Sequence, residues 1–247
     1  MAIKKINFDN KEFNINYEIV NNDKENIIVF LHGWGSNKEI MKQAFKDNLK
    51  EFKHIYIDMP GFGKSENNYT LTTIDYANIM KIFLENICIN PSDITIAGHS
   101  FGGKVATTLM PKLLVLLSSA GIIEEKSAKT LLTIRMAKIF NKFGLGKVNK
   151  MLRSKDVDDM SQHMYETFKN VVDEDFSEYF KGFYKDALIF WGDHDTATTL
   201  DSGKTIHSYI KKSSFKSYDG DHYFFIKYAD DICDIISNKI FSIKRGV

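Results

Sequence analysis

The stretch Ile94-Thr95-Ile96-Ala97-Gly98-His99-Ser100-Phe101-Gly102-Gly103-Lys104 decides how the chain is read. It opens on a short apolar run of strand length. It passes through Gly98-x-Ser100-x-Gly102 and continues into a helix-like pattern over 101–110. A nucleophile on a sharp strand-to-helix turn needs small neighbours, because the backbone is strained and close-packed there. The glycines at 98 and 102 supply that space. Such a turn presents the Ser100 hydroxyl and aims the helix N-terminus at the reacting centre, where it favours negative charge. Five residues alone match by chance, and the plain alternative is a tight turn with an incidental serine. The strand–turn–helix context is what gives the motif meaning.

Working outward, the apolar run recurs. Residues 27–31 (Ile-Ile-Val-Phe-Leu), 54–57, 113–117 and 187–191 are continuous apolar and rich in β-formers. Runs of this kind mark strands buried on both faces, as in a mostly parallel sheet. Residues 215–218 are a weaker sixth case. Helical patterns separate them at 38–49, 73–87, 101–110, 201–210 and 226–241. This alternation predicts a doubly wound α/β fold. The N-terminus differs. Apolar residues alternate over 3–8 and 13–19 around Asp9-Asn10, which reads as a hairpin.

One interval breaks the rhythm. From 122 to 184 there is helix-like sequence and no strand signal, about 60 residues, too long for an ordinary connection. The expected organisation is a core domain of 1–121 and 185–247 with a helical cap, 122–184, inserted in it. Residues 124–155 carry 9 Lys/Arg against 2 Glu, and 156–186 carry 9 Asp/Glu against 3 Lys. The bland reading is two helices pairing solvated faces; the sharper one is a basic rim for an anionic substrate or surface. Within 131–143, Leu132, Met136, Ile139, Phe140 and Phe143 share one helical face. Part of that face, including Met136 or Phe140, is expected to line an apolar acyl pocket.

Composition narrows the classes. The 247 residues are 43% hydrophobic and 26% charged, with net charge +1. Disorder, collagen and coiled coil are excluded as descriptions of the whole, and whole-molecule attraction to nucleic acid has no support. No apolar run is long enough to span a membrane and no signal peptide is visible, so a cytoplasmic location is expected. Cys88 and Cys233 form no C-x-x-C pair and read as buried small hydrophobes.

A serine nucleophile needs companions. After the run 27–31 come His32-Gly33-Trp34-Gly35-Ser36, where glycines permit the path an oxyanion hole requires. Its donors are expected to be the backbone N–H groups of Trp34 and Phe101. Of seven histidines, His222, in Asp219-Gly220-Asp221-His222-Tyr223 after the last strand, is placed to reach over the sheet as a base. The acid is expected in 191–196, which offers Asp193 and Asp195, because 118–121 after the preceding strand carry no carboxylate. The chain order is then serine, acid, histidine.

With these residues in view, the chain resembles the α/β-hydrolase superfamily, in its capped serine-hydrolase branch, over essentially its whole length. The segment 32–36 resembles the family's oxyanion loop. Residues 58–65, Asp-Met-Pro-Gly-Phe-Gly-Lys-Ser, are similar to its D-x-P-G-x-G-x-S loop, 98–103 to its nucleophile elbow and 220–222 to its G-x-H. Residues 191–198 are similar to its W-G-x-x-D segment, and that likeness selects Asp195 over Asp193. Thr199 stands where the family often has proline, Lys185-Asp186 precedes a strand that usually follows proline, and 106–111 looks short. The resemblance implies a Ser100–Asp195–His222 triad and cleavage of a small or medium carboxylic ester, with no cofactor or metal. An acyltransferase, a thioesterase and a non-hydrolysing ligand sensor are the alternatives. Oligomeric state is not indicated.

Rival motifs fail on spacing. Gly61-Phe62-Gly63-Lys64-Ser65 lacks the first glycine of a P-loop, since position 58 is Asp, and no G-x-G-x-x-G is completed. Asp193, His194, Asp195, Asp221 and His222 could in principle bind a divalent metal, but two of them are needed for the triad.

Overall fold

The computed structural model describes residues 1–123 and 160–245. Met136, Phe140 and the helical face over 131–143 lie outside the described residues. The strands are β1 (Ala2–Phe8), β2 (Lys11–Val20), β3 (Asn26–Leu31), β4 (Phe52–Ile57), β5 (Thr95–His99), β6 (Leu113–Leu117), β7 (Asp186–Gly192) and β8 (Ser213–Tyr218). Between them lie helices α1 (Lys38–Phe45), α2 (Thr73–Asn86), α3 (Phe101–Thr108), α4 (Gln162–Val171), α5 (Ser177–Gly182) and α6 (Leu200–Tyr209), with α7 (Ala229–Arg245) closing the chain.

The eight strands of the described residues form one sheet in the order β1-β2-β4-β3-β5-β6-β7-β8. β1 and β2 pair antiparallel through a two-residue turn in which Asp9 and Asn10 have φ of 50° and 56°. Both positive angles are what a type I′ hairpin turn demands, and Asp and Asn tolerate them best after glycine. β2 is antiparallel to β4, and every later pair is parallel. β3 has β4 on one side and β5 on the other. The winding therefore reverses at β3, and in open sheets of this kind the crevice at the reversal, beyond the strand C-termini, is where ligands bind.

The period-2 geometry of the strands sends alternate residues to two layers. Val29, Leu31, Ile96, Leu114, Leu116, Ile189 and Trp191 face α2, α3 and α6. Ile28, Phe30, Val115, Leu117, Leu188 and Phe190 face α1 and α7. Burial on both faces explains the continuous apolar runs. Each large side chain so buried contributes about 1.5–3 kcal/mol. Phe30 is stacked between Tyr56 and Phe45, with centroids 4.9 and 5.0 Å away. α2 starts on a capping box in which Thr72 and Asp75 satisfy one another's backbone donors. α3 has only eight residues and runs out at Met110, φ 50°, before Pro111; the shortness of 106–111 corresponds to this early end.

Cys233 is buried on α7, but Cys88 is exposed, contrary to the expectation for both cysteines. It lies just past the end of α2 at φ 61°, where the reversing backbone turns it to solvent. No helix among the described residues is long and apolar enough to cross a membrane.

α4 and α5 pack on the core next to α2 and α3. Asn170 Nδ2 donates to the Leu71 carbonyl, and Leu71 N–H donates to Thr167 Oγ1. The main anchor is Lys104 of α3, fully buried. Its Nζ donates to the Val171 carbonyl at 2.6 Å and to Glu174 Oε2 at 3.0 Å. Thr73 Oγ1 donates to the same Glu174 oxygen. Burial pushes the Lys104 ammonium pKa down, against the pull of Glu174. Removing one member of such a pair strands the other charge. Glu174→Leu should therefore lower stability by about 2 kcal/mol, below the full buried-pair value because Glu174 is 26% exposed. The double substitution Lys104→Met/Glu174→Leu should recover most of the loss. Urea midpoints of the three proteins check this, and a fully additive double mutant would contradict it.

Candidate active site

The loops after β3, β5, β7 and β8 come together beyond the strand C-termini. At the β5–α3 turn, Ser100 has φ 51° and ψ −116°, a region that costs a non-glycine residue about 1–3 kcal/mol. Surroundings hold it there. Ser100 N–H donates to the Leu117 carbonyl at 3.1 Å, and the Ser100 carbonyl accepts from Gly103 and Ala120. A Cβ at Gly98 would run into the Gly102 carbonyl, and one at Gly102 would lie 2.5 Å from the Leu31 carbonyl oxygen. The two motif glycines are thus required by close backbone approach, as the sequence predicted.

The loop after β3 turns between Gly33 and Ser36, with Gly35 at φ 71°. His32 is buried, and its ring has one consistent tautomer. Nε2 accepts from Met59 N–H at 3.1 Å, so Nδ1 carries the hydrogen and donates to the Gly33 carbonyl at 2.8 Å. Burial lowers its pKa to about 4, keeping it neutral. Asp58 fixes the same loop from the far side. It is fully buried and accepts from Lys38 N–H and Nζ, both at 2.8 Å, and from Lys64 N–H at 3.0 Å. Trp34 lies over the turn, its ring 5.6 Å from that of Phe101 and 4.9 Å from that of Phe62. Trp34 and Phe101, the two expected oxyanion donors, are therefore neighbours. Phe101 is the first residue of α3, where an N–H has no acceptor within the helix.

The loops after β7 and β8 are zipped together. Asp193 N–H donates to the Tyr218 carbonyl and His194 N–H to that of Gly220. Asp195 is buried and Asp193 exposed. Asp195 Oδ2 lies 2.7 Å from His222 Nδ1; Oδ1 accepts from the N–H groups of Ala197 and Thr198, and Thr198 Oγ1 donates to Oδ2 at 3.1 Å. Burial raises the Asp195 pKa, but the hydrogen bonds from His222 and Thr198 outweigh it and hold it at about 2. The carboxylate accepts the Nδ1 hydrogen of His222, so in the neutral ring it is Nε2 that carries the lone pair. The His222 loop reaches the serine turn through His99, whose Nε2 lies 3.0 Å from the His222 carbonyl oxygen.

Each predicted site residue among the described ones, Ser100, Asp195, His222, Trp34 and Phe101, stands in these loops. The sequence reading missed Thr198, a partner of Asp195 three residues on, and Lys104, whose partners are some 70 residues away and leave no local signal. Thr199, standing where proline is common, caps α6 through its hydroxyl. Among the described residues no group of three His, Cys, Asp or Glu is placed to hold a metal ion.

Comparison with known proteins agrees with the architecture. The chain is 29% identical over 82 residues to a pimeloyl-[acyl-carrier protein] methyl ester esterase of Pectobacterium carotovorum, covering 33% of this chain. The chain spans 14–30% of the length of the curated relatives it matches over stretches of this size. It is 24% identical over 233 residues to the uncharacterized hydrolase YugF of Bacillus subtilis, covering 81% of this chain and 84% of that one. A thermophilic esterase from Thermogutta terrifontis shares the fold, with a TM-score of 0.72 at 16% identity over 98% of this chain and 99% of that one. The model described as "Alpha/beta hydrolase family" matches residues 28–215, from β3 into β8. With a serine on the β5–α3 turn and a carboxylate–histidine pair in the loops after β7 and β8, the chain belongs to the α/β-hydrolase family.

Proposed function

We propose that the protein is a serine hydrolase that cleaves a small or medium carboxylic ester through an acyl-enzyme. Ser100 is the nucleophile, His222 the general base and Asp195 the acid that orients it. The observation that carries this reading is the 2.7 Å bond from His222 Nδ1 to a buried, multiply hydrogen-bonded carboxylate, in a loop tied to the strained Ser100 turn. His222 Nε2 takes the Ser100 proton as Oγ attacks the ester carbonyl. The Trp34 and Phe101 N–H groups hold the oxyanion. His222 then protonates the leaving alcohol and activates water for deacylation. The chemistry needs no cofactor. In the same proposal residues 122–184 are the cap, and Met136 or Phe140, which lie outside the described residues, line the acyl pocket. The basic run 124–155 suits a substrate carrying negative charge, and the similarity to a methyl ester esterase favours a small leaving alcohol.

A fluorophosphonate probe and a chain-length series of p-nitrophenyl esters test the reading. Ser100→Ala and His222→Ala should each lower kcat by about 10³–10⁶, with little added loss in the double mutant, because triad members act as a unit. Asp195→Asn should be severe and Asp193→Asn mild; equal losses would mean the acid is wrongly assigned. Absence of labelling at Ser100 would favour a ligand sensor, and acyl transfer to added thiol or alcohol in preference to water would favour a transferase.

Stability should respond to acid in two stages. His32 and His99 are buried neutral, with pKa lowered to about 4 and about 3 by burial. The unfolded chain binds their protons first, so stability should fall as pH drops below about 6.5. Asp195 acts lower down. Its folded pKa lies below its unfolded value, so its contribution is complete above about pH 4 and is lost as pH falls through about 2. Urea unfolding of the wild type and Asp195→Asn at pH 6, 4 and 2.5 should show the gap between them narrowing only over the last step.

A further inference from the structure

We propose that His99, the residue between Gly98 and Ser100, is a positioning residue that registers the base against the nucleophile through a backbone hydrogen bond. The proposal rests on the serine-hydrolase reading above.

His99 is 1% exposed. Its Nε2 lies 3.0 Å from the carbonyl oxygen of His222. A carbonyl can only accept, so Nε2 carries the hydrogen and Nδ1 is left with a bare lone pair. Nδ1 is buried with no hydrogen-bond partner, and it faces Gly33, where a Cβ would come within 2.9 Å of it. Burial keeps this ring neutral across the working range, so the Nε2 donor does not switch. The base and the residues that follow it close around the same ring. The centroids of His222, Tyr223 and Phe225 lie 4.5, 5.2 and 4.8 Å from that of His99.

A buried acceptor without a donor is a cost that phenylalanine or leucine would not carry. Packing alone therefore does not call for an imidazole here. What the imidazole supplies and those residues cannot is the Nε2 hydrogen. Residue 222 is consequently held at two points. Asp195 takes the ring through Nδ1, and His99 takes the peptide carbonyl. With the ring bond alone, the imidazole could pivot about the carboxylate. The second bond fixes the pivot, and its other end is one residue from Ser100 in the chain. The distance between base and nucleophile is thus set by the elbow itself.

The test compares the wild type with His99→Phe, which keeps the shape and removes the donor, and His99→Gln, whose side-chain amide can place an N–H near the Nε2 position. Three readouts are taken: acylation by p-nitrophenyl acetate or the fluorophosphonate probe, the melting temperature, and the far-downfield proton NMR resonance of the His222 Nδ1–H bound to Asp195. His99→Phe should acylate about 10²-fold more slowly with KM little changed. Its melting temperature should hold, and the downfield resonance should broaden or move. His99→Gln should regain most of the rate and the resonance. Equal rates in all three proteins, equal losses in both variants, or a loss of rate that follows a fall in melting temperature would each overturn the proposal. If the wild type neither acylates nor labels, the hydrolase reading fails; the resonance then decides alone, and one unchanged in His99→Phe would overturn the positioning role.

Discussion

Ser100 turns the chain from β5 into α3 within one residue, at a backbone angle that L-residues avoid, and the arrangement at the rim of the sheet follows from keeping it there. The turn tolerates no Cβ at Gly98 or Gly102, so β5 and α3 press against the end of β3. That contact brings the loop after β3 beside the first turn of α3 and sets Trp34 next to Phe101. The Leu117 carbonyl takes the Ser100 N–H, which ties the turn to the end of β6. A strain of about 1–3 kcal/mol is small beside the burial of the central strands, so the sheet can sustain it.

Asp58 plays the matching part between the start of α1 and the 58–65 loop. A buried carboxylate needs several donors for its oxygens, and Asp58 draws them from α1 and from the 58–65 loop at once. The start of α1 and the approach to β3's loop are thereby pinned to a single atom group. The approach of the 58–65 loop is so close that a Cβ at Gly63 would collide with that carboxylate. The two hubs are of different kinds. Around Ser100 the precision comes from backbone packing, and around Asp58 from satisfying a charge.

Much of this was legible because the physics is local. Continuous apolar runs mark strands covered on both faces, and the Asp9-Asn10 pair states its own turn. The serine turn carries its glycines on either side. Asp195 needed the family likeness, since residue type alone left Asp193 open; in the structure burial and the His222 bond separate them. Lys104 and Glu174 were illegible for the opposite reason. A lysine in a helix reads as solvated, and only the docking of residues 160–182 on α3 buries it. Cys88 was misread because its type is usually buried, whereas its position at the end of α2 faces outward.

The faintest strand has a further consequence. β8, Ser213–Tyr218, is weak as a signal because it is polar, and it is polar because it ends the sheet, as β1 does at the other side. The open edge of an outer strand invites pairing by a second chain, and lysine on such an edge opposes it. β8 carries Lys216, bound to Asp231 at 2.6 Å, and β1 carries Lys4 and Lys5. A sheet of eight strands with apolar interior runs is a template for growth, and these charges at its two edges oppose that growth.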